Sequence, residues 1–372
     1  MQICIIAPEK LPVPGSGSVE ISVWAVARKL ARRHKVTVLS RRTFGLPNAA
    51  EQDQVRLVRL PSGSPSRYNA SVLKFLEQER FDIIQVDNRP LLAAQIKNKL
   101  PHTPALLFLH SLTFVPATPA VARALSKPDL VATNSDSLRA QLARRFPGLE
   151  PRLTVVPLGA DLSRFAPPQP ADREAQRRLY RVPPAFAVLF VGRVIPRKGV
   201  PVLIRAVARL NKRHPAHLLI AGSGKPPYLR RLRALARRLH VPVTFLGSVA
   251  HENIHGLYQA ADCLVCPSQQ HESFGLVNVE AMASGLPVIA SNNGGIREII
   301  QSGRNGFLVD RYREAAPFAR WLAILASDPQ LAARIGRQGR FDALRTFEWQ
   351  RTAASLEELY KVLVTPPAGH AQ

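Results

Sequence analysis

Residues 262–300 read DCLVCPSQQHESFGLVNVEAMASGLPVIASNNGGIREII, and the order of elements in this stretch decides the fold. DCLVCPS is a short apolar run closed by a Pro-Ser break, the pattern of a buried strand. A loop carrying Glu272 follows. Gly275 opens a helix that carries Glu280, with Gly285 as its stop signal. LPVIAS is a second buried strand, and NNGG begins a second loop and helix.

The chemistry of that arrangement is specific. A helix N-terminus presents unpaired backbone N–H groups and a partial positive charge. A glycine there lets the backbone come close to a ligand, and a phosphate fits the position. Glu272 stands just before the helix; Glu280 lies about 7 Å along its axis from Gly275, at about 1.5 Å per residue. Carboxylates accept hydrogen bonds from hydroxyls. The stretch can hold a polyol at each end and a phosphate between them, which is the layout of a nucleotide-sugar.

The spacing E-S-F-G-L-x-x-x-E, followed by A-x-A-S-G-L-P-V-I-A and G-G-I-x-E, resembles the donor-binding segment of retaining glycosyltransferases of family 4, which have the GT-B fold. The resemblance implies an α/β chain of two Rossmann-like domains facing a central cleft, with a C-terminal helix returning to the N-terminal domain. It places Glu272 beside the donor sugar, Glu280 on the ribose hydroxyls, the helix start at Gly275 and Leu276 at the donor phosphates, and Phe274 among the donor-binding residues.

Upstream, QICII (2–6) reads as a first buried strand. The loop PEKLPVPGSGS, a helix from Val19 to about Arg33 and the strand KVTVLS complete a βαβ unit. Ligands collect at the carboxyl ends of parallel strands, so this loop marks a substrate or phosphate site. Its Gly15 and Gly17 lack the third glycine of a dinucleotide fingerprint. The family usually carries two adjacent glycines here; Gly17 is the match, and the chain departs from the pattern at Ser16. Further strands are expected at 55–60, 81–86, 105–109, 129–134 and 153–157. His110 ends the run LFLHS, where the family places a histidine beside the donor sugar. Asn134 and Ser135 end the next strand and fit cleft lining or helix capping equally.

PLGADLSRF (157–165) resembles the family's crossing segment, and APPQPAD (166–172) reads as a linker. The expected domains are 1–165, joined by a C-terminal helix at about 348–364, and 166–347. In the second domain FAVLFVG is a buried strand. The G-R-x-x-x-x-K-G pattern from Gly192 to Gly199 follows it and resembles the family's diphosphate clamp. Arg193 offers a bidentate fork and Lys198 a mobile point charge at a strand end. HLLIAGSG carries Gly222 into a loop that resembles the segment approaching the nucleotide. PYLRRLRALARRLH reads as a helix with a solvated arginine face, a lipid-facing role being the alternative. VTFLGSV is a strand whose backbone can meet the base edge.

Composition sets outer bounds. The chain has 372 residues, 46% of them hydrophobic, enough for two ordinary soluble domains. The start lacks a basic n-region, and no run approaches the roughly 18 apolar residues of a membrane span. A cytoplasmic protein is expected, with peripheral contact at an anionic inner membrane face left open by the charge. Three cysteines cannot build a disulfide framework, and Cys263 and Cys266 have no second Cys or His cluster with them. No metal or cofactor is expected. The net charge of +25 favours phosphate-rich partners, or reflects genome or habitat composition.

The resemblance implies transfer of a sugar from a nucleotide diphosphate sugar, a UDP-sugar first, with retained anomeric configuration. Catalytic roles would fall to Glu272, His110, Arg193 and Lys198. The acceptor is open: envelope, glycan, lipid or small molecule. The rivals are another GT-B enzyme, such as a nucleotide-sugar epimerase or sugar phosphorylase, and a nucleic-acid-binding protein suggested by charge alone. The chain lacks the aromatic-interleaved basic stripe and recognition helix of the last class. Within the transferases, the APEKLPVP loop and V-D-N-R-P (86–90) look most like spore-coat and cell-envelope enzymes.

Overall fold

The structure, a computed structural model, describes residues 1–11, 17–61 and 63–365, without the side chains of residues 8–10. Gly15, Ser16 and the tail from 366 therefore lie outside the described residues. The chain forms two compact units: Met1–Leu158 with the stretch from Trp349 onward, and Gly159–Glu348. No helix among the described residues is long and apolar enough to cross a membrane.

The first unit is built on an eight-stranded sheet. Its strands are β1 (Gln2–Lys10), β2 (Lys35–Arg41), β3 (Ala49–Gln52), β4 (Val55–Leu60), β5 (Ile83–Asp87), β6 (Ala105–Leu109), β7 (Leu130–Thr133) and β8 (Leu153–Val155). Their order is β3-β4-β2-β1-β5-β6-β7-β8. All neighbours pair parallel except β3 with β4. Every residue of β5 (IIQVD) and β6 (ALLFL) is buried, Gln85 and Asp87 included, which places both strands in the middle of a sheet covered on both faces. The strand order reverses between β1 and β5, so the carboxyl ends of these strands open on a switch point. The final helix, Trp349–Val364, buries Trp349, Ala353, Leu356 and Tyr360, one face at helical spacing. It is tied to this unit by Thr352 Oγ1 donating to Pro157 O at 2.9 Å.

The second unit carries β9 (Phe186–Val191), β10 (Ala216–Ala221), β11 (Val243–Gly247), β12 (Cys263–Cys266), β13 (Val288–Ser291) and β14 (Phe307–Val309). The order is β11-β10-β9-β12-β13-β14, parallel throughout. The reversal here lies between β9 and β12. The helix Val200–Leu210 covers the sheet with Val200, Leu203, Ile204, Val207 and Leu210, all buried.

The unit boundary differs from the sequence expectation. Residues 159–165 pack in the second unit, because Arg340 Nη1 donates to the carbonyls of Leu162 (3.1 Å), Phe165 (2.6 Å) and Ala283 (2.5 Å). The stretch read as a linker turns helical at Pro170, and Pro170–Leu179 docks through Arg173 and Arg177 on Asp262 at 2.6 and 3.3 Å. Cys263 and Cys266 are free and buried, and burial pushes both thiols up. No group of three or more His, Cys, Asp or Glu is gathered for a metal among the described residues.

Candidate active site

The second unit brings two sequence-distant motifs together at its switch point. Gly192, Arg193 and Lys198 follow β9; Ser268 and Glu272 follow β12, its neighbour in the sheet. Lys198 Nζ donates to Glu272 Oε2 at 2.5 Å, and Ser268 Oγ donates to the same oxygen at 2.9 Å. Both charged side chains are 17% exposed. Burial opposes ionisation of Glu272, but the Lys198 ammonium and the two hydrogen bonds outweigh it, and the carboxyl lies below its ordinary range. Arg193 is exposed and makes no side-chain hydrogen bond or ion pair among the described residues.

Loop-to-loop backbone bonds fix this pair. Gln269 N donates to Arg197 O at 2.7 Å, joining the loop after β12 to the loop after β9. The NNGG turn holds Glu272 from the other side: Gly295 N donates to Glu272 O at 2.8 Å, and Asn293 Nδ2 to Gln270 O at 2.7 Å. Gly222 follows β10 and donates its N–H to Gly247 O at 2.6 Å; Gly192 donates to Ala221 O at 2.9 Å.

Gly275 caps the helix Leu276–Ala283 with φ 101° and ψ 55°, a left-handed conformation that favours glycine. No side chain caps this helix; Asn278 N–H turns back to Gly275 O at 2.9 Å, and the N–H groups of Leu276 and Val277 remain for an anion. Leu276 is 7% exposed and offers mainly its backbone. Phe274 is 4% exposed, with its ring edge-on to Phe347 at 5.9 Å. Its side chain therefore packs within the unit, and only its main chain can serve a ligand.

Glu280 is also more enclosed than a bare ribose contact would need, at 3% exposure. Tyr258 Oη donates to Oε2 at 2.7 Å, and His251 Nε2 lies 2.8 Å from Oε1. Arg164 Nη2 lies 3.1 Å from His251 Nδ1, so His251 is held at both nitrogens. Burial and the Glu280 charge push the Tyr258 hydroxyl well up, keeping it a donor. Each Glu280 oxygen retains acceptor capacity beyond the one bond it takes here.

In the first unit, Gly17 is the N-cap of the helix Ser18–Ala31 that follows β1. His110 follows β6 and is 7% exposed. Its Nε2 lies 2.7 Å from Asp87 Oδ1, and its backbone N–H donates to Asn88 Oδ1 at 2.7 Å. Asn134 Nδ2 donates to His110 O at 3.3 Å, while Ser135 Oγ caps the helix Asp136–Arg145. Sequence reasoning missed Asp87, Ser268, His251, Tyr258 and Asn293. Asp87 ends a buried strand just as His110 nearly does, and it lies in the V-D-N-R-P segment; those were its available signals.

Two α/β units, one with paired cations and carboxylates at a strand-end switch point beside an uncapped helix start, define a GT-B glycosyltransferase. The chain belongs to the family 4 glycosyltransferases: residues 19–164 match "Glycosyltransferase Family 4" and residues 172–341 match "Glycosyl transferases group 1". It is 32% identical to spore coat protein SA of Bacillus subtilis (strain 168) over 377 residues, covering 97% of this chain and 99% of that protein. Sucrose-phosphate synthase from Thermosynechococcus elongatus shares the fold at a TM-score of 0.82 and 25% identity, over 97% of this chain and 98% of the other. Anabaena HepE, solved with UDP and glucose, superposes at a TM-score of 0.82 with 23% identity, over 98% of this chain and 100% of that one.

Proposed function

We propose that the protein transfers a sugar from a nucleotide diphosphate sugar, a UDP-sugar first, to an acceptor hydroxyl with retention at the anomeric carbon. The observation that carries the reading is the convergence of Lys198 and Glu272 beside the helix opened by Gly275. The bond between the anomeric carbon and the diphosphate breaks while the bond to the acceptor oxygen forms on the same face. The acceptor's proton passes to the departing phosphate oxygen. Arg193, Lys198 and the N–H groups after Gly275 meet the charge that develops on the diphosphate. No metal ion is invoked in this account.

Glu272 takes the donor sugar's hydroxyls, and Glu280 the ribose. His110, in the first unit, serves the transferred sugar. HepE is crystallised with UDP and with UDP-glucose, which makes uridine the first base to try. The acceptor belongs to an envelope, glycan, lipid or small-molecule class, and contact with an anionic membrane face is compatible with the charge of +25.

Thermal shifts against UDP-, GDP- and ADP-sugars test the donor, because a ligand bound only to the folded state raises Tm. A uridine series should stand out; no shift with any nucleotide would overturn the reading. Lys198→Ala and Glu280→Ala should each lose at least tenfold in donor turnover while still folding, with a lowered Tm. Product analysis should give free nucleoside diphosphate and a glycosylated acceptor, where an epimerase gives isomerised sugar and a phosphorylase gives sugar phosphate.

A further inference from the structure

We infer that Asp87 is a positioning residue for His110: it holds the imidazole as the Nε2–H tautomer and leaves Nδ1 as the acceptor for a substrate hydroxyl. This rests on the placement of His110 beside the transferred sugar. The argument begins with the direction of a buried chain of hydrogen bonds. Tyr360 Oη, from the returning C-terminal helix, donates to Gln85 Oε1. Burial, together with the charge of Asp87, pushes the Tyr360 hydroxyl well up, so it stays protonated and keeps a proton to donate here. Gln85 must then turn its amide N–H toward Asp87, and Nε2 donates to Oδ2 at 2.9 Å. The remaining oxygen, Oδ1, faces His110 Nε2 at 2.7 Å. An ionised carboxylate only accepts, so the proton between them belongs to the imidazole.

The other nitrogen is the functional consequence. His110 Nδ1 is buried and has no hydrogen-bond partner among the described residues. A buried acceptor left unpaired costs about 1–3 kcal/mol, and such atoms in a native structure call for a reason. The ring cannot turn to escape that cost. Asp87, at 1% exposure, grips one edge, the Phe108 ring lies against it tilted by 38° with centroids 4.3 Å apart, and Asn88 and Asn134 bond the backbone on either side. Strands β5, β6 and β7 are neighbours, so their carboxyl ends fix this geometry. The result is a rigid imidazole whose single lone pair awaits a hydroxyl.

The test uses the full chain labelled with ¹⁵N-histidine. Long-range proton–nitrogen spectra near pH 7.5 report each ring's tautomer, and His110→Gln identifies the His110 signals by their loss. We expect a protonated Nε2 and a bare Nδ1 in the wild type. Asp87→Asn should mix or reverse that pattern, since an asparagine can present its own N–H to the ring. The same change in acyl-transfer triads leaves the geometry intact and costs about 10⁴ in turnover through the wrong tautomer. Here a loss of at least tenfold in kcat is expected, with nucleoside diphosphate Kd unchanged within about twofold.

Equal losses in donor hydrolysis and in transfer would assign the hydroxyl to the donor sugar; a loss confined to transfer would assign it to the acceptor. A wild-type ring protonated at Nδ1, or at both nitrogens, overturns the proposal without recourse to any variant. So does an Asp87→Asn enzyme with wild-type kcat. A wild type that transfers no sugar would instead remove the transferase reading, while the tautomer measurement, made without substrate, still decides the role of Asp87.

Discussion

Glu272 is a carboxylate that folding makes more acidic, and the sign of its effect on stability follows. Its folded pKa is lowered, by Lys198 and Ser268 against the opposing effect of burial. A group with a depressed pKa stabilises the fold above its unfolded value, about 4.3 for Glu, and loses that contribution as pH falls through the folded value. Replacing it with Gln removes the charge that Lys198 faces at 2.5 Å but keeps a hydrogen-bonding group of the same size. Glu272→Gln should therefore cost about 1.5–3 kcal/mol near neutral pH, in the range of hydrogen bonds to charged groups. The gap to wild type should be full above about pH 5 and should close in more acidic solution. Urea denaturation of both proteins across pH 3–7 measures it. A gap that is constant with pH, or that widens in acid, would show that the pair does not stabilise the fold through charge.

At the scale of elements, the loops after β9 and β12 act as one device because Gly199 joins them. Gly199 has φ 74°, and a Cβ added there would lie 1.9 Å from Pro267 O. Gly199→Ala must push the loop carrying Ser268 away from the one carrying Lys198, beyond the roughly 1–2 kcal/mol that a left-handed alanine itself costs. We expect a lowered Tm and a loss of donor turnover at least as large as in Lys198→Ala; an unchanged Tm would mean the loops do not abut. The two loops were each legible in sequence, through apolar runs ending in glycine, proline and charge. Their meeting came only through the family resemblance, because it depends on β9 lying beside β12, and strand order is not written in spacing along the chain. Strand order likewise joins Asp87 to His110, on neighbouring strands β5 and β6. The strand β3, AAEQ, gave no apolar alternation, being a largely exposed edge. The helix Pro170–Leu179 fully buries no residue and docks through arginines, so it left no hydrophobic stripe to find.

For the whole molecule, two independent sheets imply two units of cooperative unfolding, and the C-terminal helix decides the stability of one. With 51 basic against 26 acidic residues, any anion is attracted weakly everywhere, so donor binding should be read at salt high enough to screen that background. The division of the chain is testable without any ligand. The helix Trp349–Val364 adds Trp349, Leu356 and Tyr360 to the core of the first unit, each 5% exposed or less. At about 1.5–3 kcal/mol for a buried Leu, and more for the larger aromatic surfaces, these contacts sum to the order of 10 kcal/mol. That is comparable to the entire stability of a typical domain, about 5–15 kcal/mol. A chain ending at residue 348 should therefore lose the unfolding transition of the first unit. The unit Gly159–Glu348, with its own core of β9 to β14 and their covering helices, should keep its transition. Calorimetry of the full chain, the truncated chain and the fragment 159–348 makes the comparison. The truncated chain and the fragment should share one transition, and Tyr360→Phe in the full chain should lower only the other. A truncated chain that still unfolds in two steps would show that the first sheet stands without the returning helix, and would take from Tyr360 its place in the architecture around His110.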